Sequence, residues 1–145
     1  MQVVNIIICK WTHSVCYTFQ TYVVDGDFFN QVVVCWFQKY IDSGFDVYAL
    51  GASTKGNVLL QWLEIDQNMI QSVGDVNSRK FGKQTPGTCI PIIPENEILN
   101  LAKENVIAIV LPWHFRQGIV GKSQQFMQSG GALLFPLPQI EVVSI

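Results

Sequence analysis

The chain has 145 residues, with nine Lys and Arg against eleven Asp and Glu, and 49% of its residues are apolar while 14% are charged. That length fits one domain with a sizeable core, and a net charge of −2 with no basic stripe excludes the usual nucleic-acid-binding surface. No apolar run approaches the roughly 20 residues of a membrane helix, and so apolar a composition predicts that another domain or subunit covers part of the surface.

Residues 1–27 are the least legible part, with strand propensity over 3–9 and 17–24 and a turn at Asp25-Gly26-Asp27. The start lacks a basic n-region and a small-residue cleavage site, so no signal peptide is expected. Cys9, Cys16, Cys35 and Cys89 form no CxxC pair, and His13 and His114 complete no zinc spacing. Buried free thiols in a reducing, cytoplasmic compartment are the expectation.

From residue 28 the pattern becomes regular. Phe29, Val33, Trp36, Phe37 and Tyr40 recur at helical spacing over 28–41, with Gly44 as the stop. A buried strand over 47–50 runs into Gly51, and Ser53 or Thr54 caps a helix over 57–64 with Val58, Leu59, Trp62 and Leu63 on one face. A second strand spans 69–74 and ends at Asp75, followed by a polar loop over 77–87. A third strand over 89–93 contains Pro91 and belongs at a sheet edge. A helix over 94–103, a buried strand over 106–111, a helix over 115–129 with Ile119, Val120, Phe126 and Met127 inward, and a strand over 132–135 complete the alternation. Strands alternating with helices predict an α/β fold with a mainly parallel sheet and right-handed crossovers. The expected architecture is a Rossmann-like three-layer domain of strand order 3-2-1-4-5 over residues 28–145, with 1–27 unassigned.

Three stretches carry candidate chemistry. Gly51-x-Ser53-x-x-Gly56 is the dinucleotide fingerprint with serine at its second glycine, and Asp75 stands where that fingerprint expects a ribose-binding acid. A helix opening behind a strand presents N–H groups to an anion, with Lys55 close by. It is not a Walker loop, because Lys55 precedes Gly56. A ligand-binding loop and a vestigial one both remain open at this point. Pro112-Trp113-His114-Phe115-Arg116 follows the fourth strand and faces the same crevice, with Trp113 to stack, His114 to donate and Arg116 to pair with phosphate; the alternative is a turn that packs Trp113 and Phe115 into the core. The loop over 77–88 brings Arg79, Lys80 and Lys83 together, either as a functional loop or as a solvated one. No activated nucleophile can be assembled from these motifs, which favours a binding module over a complete active site.

Taken in order, Gly51-Ala-Ser-Thr-Lys-Gly-Asn57, Asp75-x-Asn77-x-x-Lys80-x-Gly82-Lys83-x-Thr85-Pro86-Gly87-Thr88-x-Ile90-Pro91-Ile92, Leu111-Pro-Trp-His-Phe115, Gly130-Gly131 and Phe135-Pro-Leu-Pro138 resemble the C-terminal domain of the S-adenosylmethionine (SAM)-dependent sugar C-methyltransferases. The likeness covers about residues 28–138. It implies a Rossmann-like domain on the substrate side of a nucleotide-sugar cleft, with a thymidine-diphosphate-linked sugar as the natural candidate. It also implies that Gly51, Ser53, Thr54, Lys55, Gly56, Asp75, Trp113 and His114 line that cleft. The family's zinc-binding and SAM-binding domains precede this one; no motif of either occurs before residue 28. SAM is therefore expected of a full-length enzyme, and no cofactor of this domain. The chain departs from the family in having Val76 for an arginine, Cys89 for a histidine and His114 for an asparagine. The alternative expectation is a stand-alone nucleotide-binding or interaction domain.

Overall fold

The computed structural model describes residues 3–4, 22–23, 26–101 and 104–145, with side chains for residues 30, 32–101 and 104–145. Strands β1 (Val3–Val4) and β2 (Tyr22–Val23) pair antiparallel in a two-stranded sheet of their own. The strands expected over 3–9 and 17–24, with His13, Cys9 and Cys16, otherwise lie outside the described residues.

Helix α1 runs Gly26–Asp42 and ends as its sequence demands. Gly44 sits at φ +80°, its N–H donates to the Ile41 carbonyl, and the Phe45 N–H reaches the Tyr40 carbonyl. This is a Schellman stop, and the Phe45 ring closes it edge-on against Tyr40 with centroids 5.1 Å apart. Val33 and Phe37, four apart, form the buried stripe of the helix. Cys35 lies on the opposite, exposed face, and Cys89 is exposed at a residue of φ +56°. The expectation of buried thiols therefore fails for both described cysteines. A place two residues from either member of the stripe and a turn position decide the matter, and composition registers neither.

The main sheet contains β3 (Asp46–Leu50), β4 (Val73–Asp75), β5 (Ile92–Pro94), β6 (Val106–Val110), β7 (Gly131–Phe135) and β8 (Glu141–Val143). Their order is β5-β4-β3-β6-β7-β8. Counted along the chain this is 3-2-1-4-5-6, so the predicted five-strand order is present and β5 is the edge strand expected from Pro91. The first five strands are parallel, and β8 returns antiparallel on β7. No sequence reading placed β8, which is short and follows a proline-rich turn.

Strand alternation sorts the core into two layers. Val47 and Ala49 of β3, Ile107 and Ile109 of β6, and Ala132 and Leu134 of β7 join Val33, Phe37, Leu59, Leu60 and Leu63 on one face. Leu50, Ala108, Val110, Leu133 and Phe135 join Ile98, Ile119, Phe126 and Met127 on the other. Right-handed crossovers send α2 (Thr54–Trp62) to the first face, and α3 (Glu95–Leu99), α4 (Arg116–Lys122) and α5 (Gln124–Gln128) to the second. Helix α1, which precedes the sheet, supplies cover on the first face where the later crossovers cannot run.

Several boundaries moved: β5 begins only at Ile92, so Pro91 precedes it, and α3 ends at Leu99. Helix α2 begins at Thr54, earlier than expected, and buries Leu59, Leu60 and Leu63, whereas Val58 and Trp62 are exposed. Strand β4 starts only at Val73, because Met69 and Ile70 turn back onto the Asp66 carbonyl. The single helix expected over 115–129 divides at Ser123, whose N–H is shared between the carbonyls of Ile119 and Val120. The Ser123 hydroxyl is buried there with no hydrogen-bond partner. Among the described residues no helix is long and apolar enough to cross a membrane.

Candidate functional site

Strands β3 and β6 are neighbours, yet the chain leaves β3 toward β4 and leaves β6 toward β7. Such a reversal opens a crevice beyond the carboxyl ends of the two strands. The first two motif stretches meet there. Gly51 closes β3 at φ +86°, and a Cβ on it would stand 2.6 Å from Pro112 Cδ, inside the proline ring's contact distance. Gly56 is equally constrained, since a Cβ there would meet Leu111 Cβ at 2.9 Å and the Gly51 carbonyl at 3.0 Å. The two glycines thus bring the first turn of α2 down onto the end of β6. This is the close helix-to-strand packing that the outer glycines of the fingerprint serve.

The turn's own hydrogen bonds consume most of its donors. The Ser53 hydroxyl accepts from the Gly56 N–H at 3.1 Å as the N-cap of α2. The Gly51 N–H goes to the Gly74 carbonyl, the Ser53 N–H to the Gly51 carbonyl and the Asn57 N–H to the Ser53 carbonyl. The N–H groups of Thr54 and Lys55, first in the helix, are those for which the turn provides no acceptor. Thr54 and Lys55 are exposed, and the Asn57 side-chain oxygen just behind them is buried with no partner.

Asp75 ends β4 beside this turn and is 6% exposed. One carboxylate oxygen accepts from the Asn77 N–H at 2.8 Å, and the other accepts from Lys80 Nζ at 2.9 Å. Burial pushes the Asp75 carboxyl pKa up, but Lys80, through its hydrogen bond and its charge, and the backbone N–H groups of Asn77 and Ala52 outweigh it and hold the group below the ordinary carboxylate value. Lys80 Nζ also donates to the Ala52 carbonyl at 2.8 Å. The acid in the ribose-binding position is therefore an internal counter-ion.

The stretch after β6 forms a 3-10 turn over Trp113–Phe115. Trp113 is half-buried and touches both core layers, so it straddles the end of the sheet. His114 is exposed, with its ring centroid 5.8 Å from Trp113 edge-on and 4.3 Å from Phe115. Phe115 is 64% exposed, so it is not core packing. Arg116, read as a phosphate partner, is engaged within the chain. It pairs with Glu141 of β8 and lies 5.2 Å from the Phe135 ring. Nothing in the local sequence announces that pair, because it spans 25 residues and needs β8 to exist.

The loop between β4 and β5 replaces the helix usual at that crossover. Thr85 and Thr88 are buried and share a hydroxyl contact of 2.6 Å, and the Ile90 N–H donates to Thr85 Oγ1. Gln61 of α2 holds the Pro86 carbonyl at 2.8 Å, and a Cβ on Gly87 would strike that side chain at 2.9 Å. The Thr85–Thr88 motif is thus a brace that fits Ile90 into the core. Of the three basic residues, Lys80 turns inward, while Arg79 and Lys83 are exposed. Among the described residues no group of three or more His, Cys, Asp or Glu could hold a metal ion.

A doubly wound sheet with a glycine turn and an aromatic turn meeting at its switch point defines a Rossmann-like domain. The chain belongs to the family described as the C-methyltransferase C-terminal domain, whose profile matches residues 15–138. It is 28% identical over 104 residues to the C-methyltransferase NovU of Streptomyces niveus, an alignment covering 72% of this chain and 24% of that relative. The chain thus spans about a quarter of the length of the curated relative it matches.

Proposed function

We propose that this chain forms the substrate side of a SAM-dependent sugar C-methyltransferase and walls the cleft that receives a nucleotide-linked sugar. The observation that supports it most is the close packing of Gly51 and Gly56 on Pro112 and Leu111, the residues that lead into Trp113 and His114, at the switch point of a chain of this family. In this reading the N–H groups of Thr54 and Lys55, with the Lys55 ammonium, face the diphosphate. Trp113 and His114 supply an aromatic edge and a donor to the sugar or base. The methyl donor and the reacting groups belong to zinc-binding and SAM-binding domains elsewhere in the enzyme, in the cytoplasm. The crevice does not fit an adenosyl group of its own, because ribose hydroxyls in such folds bind an acid at the end of the second strand. Here that acid, Asp75, is engaged by Lys80 and Asn77. No chemical step is therefore assigned to this domain.

Titration of the chain with a thymidine-diphosphate sugar, followed by amide NMR, tests the reading. Shifts at Gly51, Ser53–Gly56, Trp113 and His114 are expected. Silence at millimolar ligand speaks against it, and a response to NAD or ATP in their place would move the assignment to a stand-alone nucleotide-binding protein.

A further inference from the structure

Lys80 and Asp75 do more than neutralise each other. The chain between them is tightly wound: the Asn77 N–H bonds to Asp75 Oδ1, the Asn77 side chain accepts from the Arg79 N–H at 3.1 Å, and the Lys80 N–H donates to the Asn77 carbonyl at 3.0 Å. This winding returns the Lys80 side chain to the end of β3. There its ammonium holds the backbone of one turn residue and stays paired with Asp75. The Ala52 carbonyl accepts from Lys80 Nζ at 2.8 Å, and the same ammonium donates to the Asp75 carboxylate at 2.9 Å. Ala52 is 4% exposed and stands between Gly51 and the helix cap Ser53. Through Ser53, its orientation sets where the amides of Thr54 and Lys55 point.

We infer that Lys80 is a positioning residue of the crevice: with buried Asp75 as its counter-ion, it clamps Ala52 and so fixes the direction of the anion-facing amides of Thr54 and Lys55. Asp75 then acts through the clamp and does not itself receive the ligand. Three geometric facts carry this: one ammonium bridges a backbone carbonyl and a buried carboxylate, that carbonyl belongs to Ala52 in the turn, and the Asp75 side chain is only 7% exposed. The loop after β4 and the crevice are thereby coupled, although Lys80 lies 28 positions from Ala52 in sequence. Lys80 is also 35% exposed along its side chain, so the clamp is open to solvent on one side and can be loosened.

The inference rests on the proposed nucleotide-sugar reading for its ligand but not for its geometry, and the test separates the two. The variants Lys80→Met, Lys80→Gln and Asp75→Asn are compared with the unaltered chain by thermal melting, by the amide resonances of Gly51–Gly56 without ligand, and by titration with thymidine diphosphate. Lys80→Met and Asp75→Asn are expected to move the same set of resonances and to weaken thymidine diphosphate by roughly tenfold, the loss that one misplaced charge-assisted contact carries. Lys80→Gln keeps an N–H donor for the Ala52 carbonyl and is expected to move them less, which keeps the test valid should Lys80→Met not fold. Unmoved Gly51–Gly56 resonances in a folded Lys80 variant overturn the clamp. So does an Asp75→Asn chain that loses binding with those resonances unmoved while Lys80→Met binds normally, since Asp75 would then be a direct acceptor. If the unaltered chain ignores thymidine diphosphate, the functional reading fails while the ligand-free resonances still decide the clamp.

Discussion

The replacement Gly51→Ala probes the contact on which the crevice is built. Two costs act together. An L-residue at φ +86° enters the left-handed region, and its Cβ would lie 2.6 Å from Pro112 Cδ and 2.8 Å from Pro112 Cγ. The first costs about 1–2 kcal/mol. The second is an overpacking cost of about 1–3 kcal/mol, because a proline ring cannot rotate away. Alanine's smaller unfolded-state entropy returns about 0.4–1 kcal/mol. The net expectation is a loss of about 2–4 kcal/mol, or on the order of 10 °C in melting temperature for a chain of this size. Gly44→Ala is the internal control, since Gly44 has φ +80° but nothing within 4 Å of an added Cβ. It carries the backbone cost alone, about 1 kcal/mol. Chemical denaturation of both variants, and of Gly51→Ala combined with Pro112→Ala, isolates the clash as a coupling of about 1–3 kcal/mol. If Gly51→Ala costs no more than Gly44→Ala, or the coupling with Pro112 vanishes, the two turns do not meet as described.

Ser53→Ala removes the N-cap acceptor of the Gly56 N–H and is expected to cost about 1 kcal/mol in urea unfolding, with Ser53→Asp restoring most of it. Ser123→Ala deletes a hydroxyl that is buried without a partner, so a gain of about 1 kcal/mol is expected, and a comparable loss would reveal a bond to that oxygen. The Asp75 carboxyl has its folded-state pKa below the unfolded one. Its contribution is thus fully present above about pH 4 and is lost as the pH falls further. Acid titration of the melting temperature should show a steeper fall in the unaltered chain than in Asp75→Asn, and parallel curves would exclude that linkage. Gly131→Ala would set a Cβ 2.5 Å from the Phe126 ring; a loss of about 1–3 kcal/mol is expected, eased when Phe126→Leu accompanies it, and an undiminished loss would place the strain elsewhere.

What one stretch of chain can specify was legible in the sequence. Hydrophobic runs of strand length at 47–50 and 106–111, separated by glycine turns and caps, fixed the alternation of elements, because burial on both faces and a helix start each leave a local pattern. The handedness rule for crossovers then left one sensible strand order. Gly51, Ser53, Gly56, Trp113 and His114 could be nominated for the same reason, since strand ends in this topology face one crevice. The boundaries of α2 and β4 were less legible: Val58 and Trp62 continue the helical spacing but stand on the solvent side, and periodicity alone does not say where a stripe ends.

Partnership was decided by the tertiary structure. Asp75 reads as a ribose acceptor until Lys80 folds back onto it, and Arg116 reads as a phosphate ligand until β8 brings Glu141 beside it. Both residues are charged groups whose role depends on which opposite charge arrives first, and that arrival is set by distant chain. Gly51 was marked by sequence as a turn residue, but its second reason, the ring of Pro112, exists only once β3 and β6 lie side by side. The order of elements and the place of the crevice follow from local burial and chain handedness, which every segment carries in its own residues. The fold alone decided which side chains there remain available to a ligand, because side-chain pairing across strands depends on distances that no local pattern encodes.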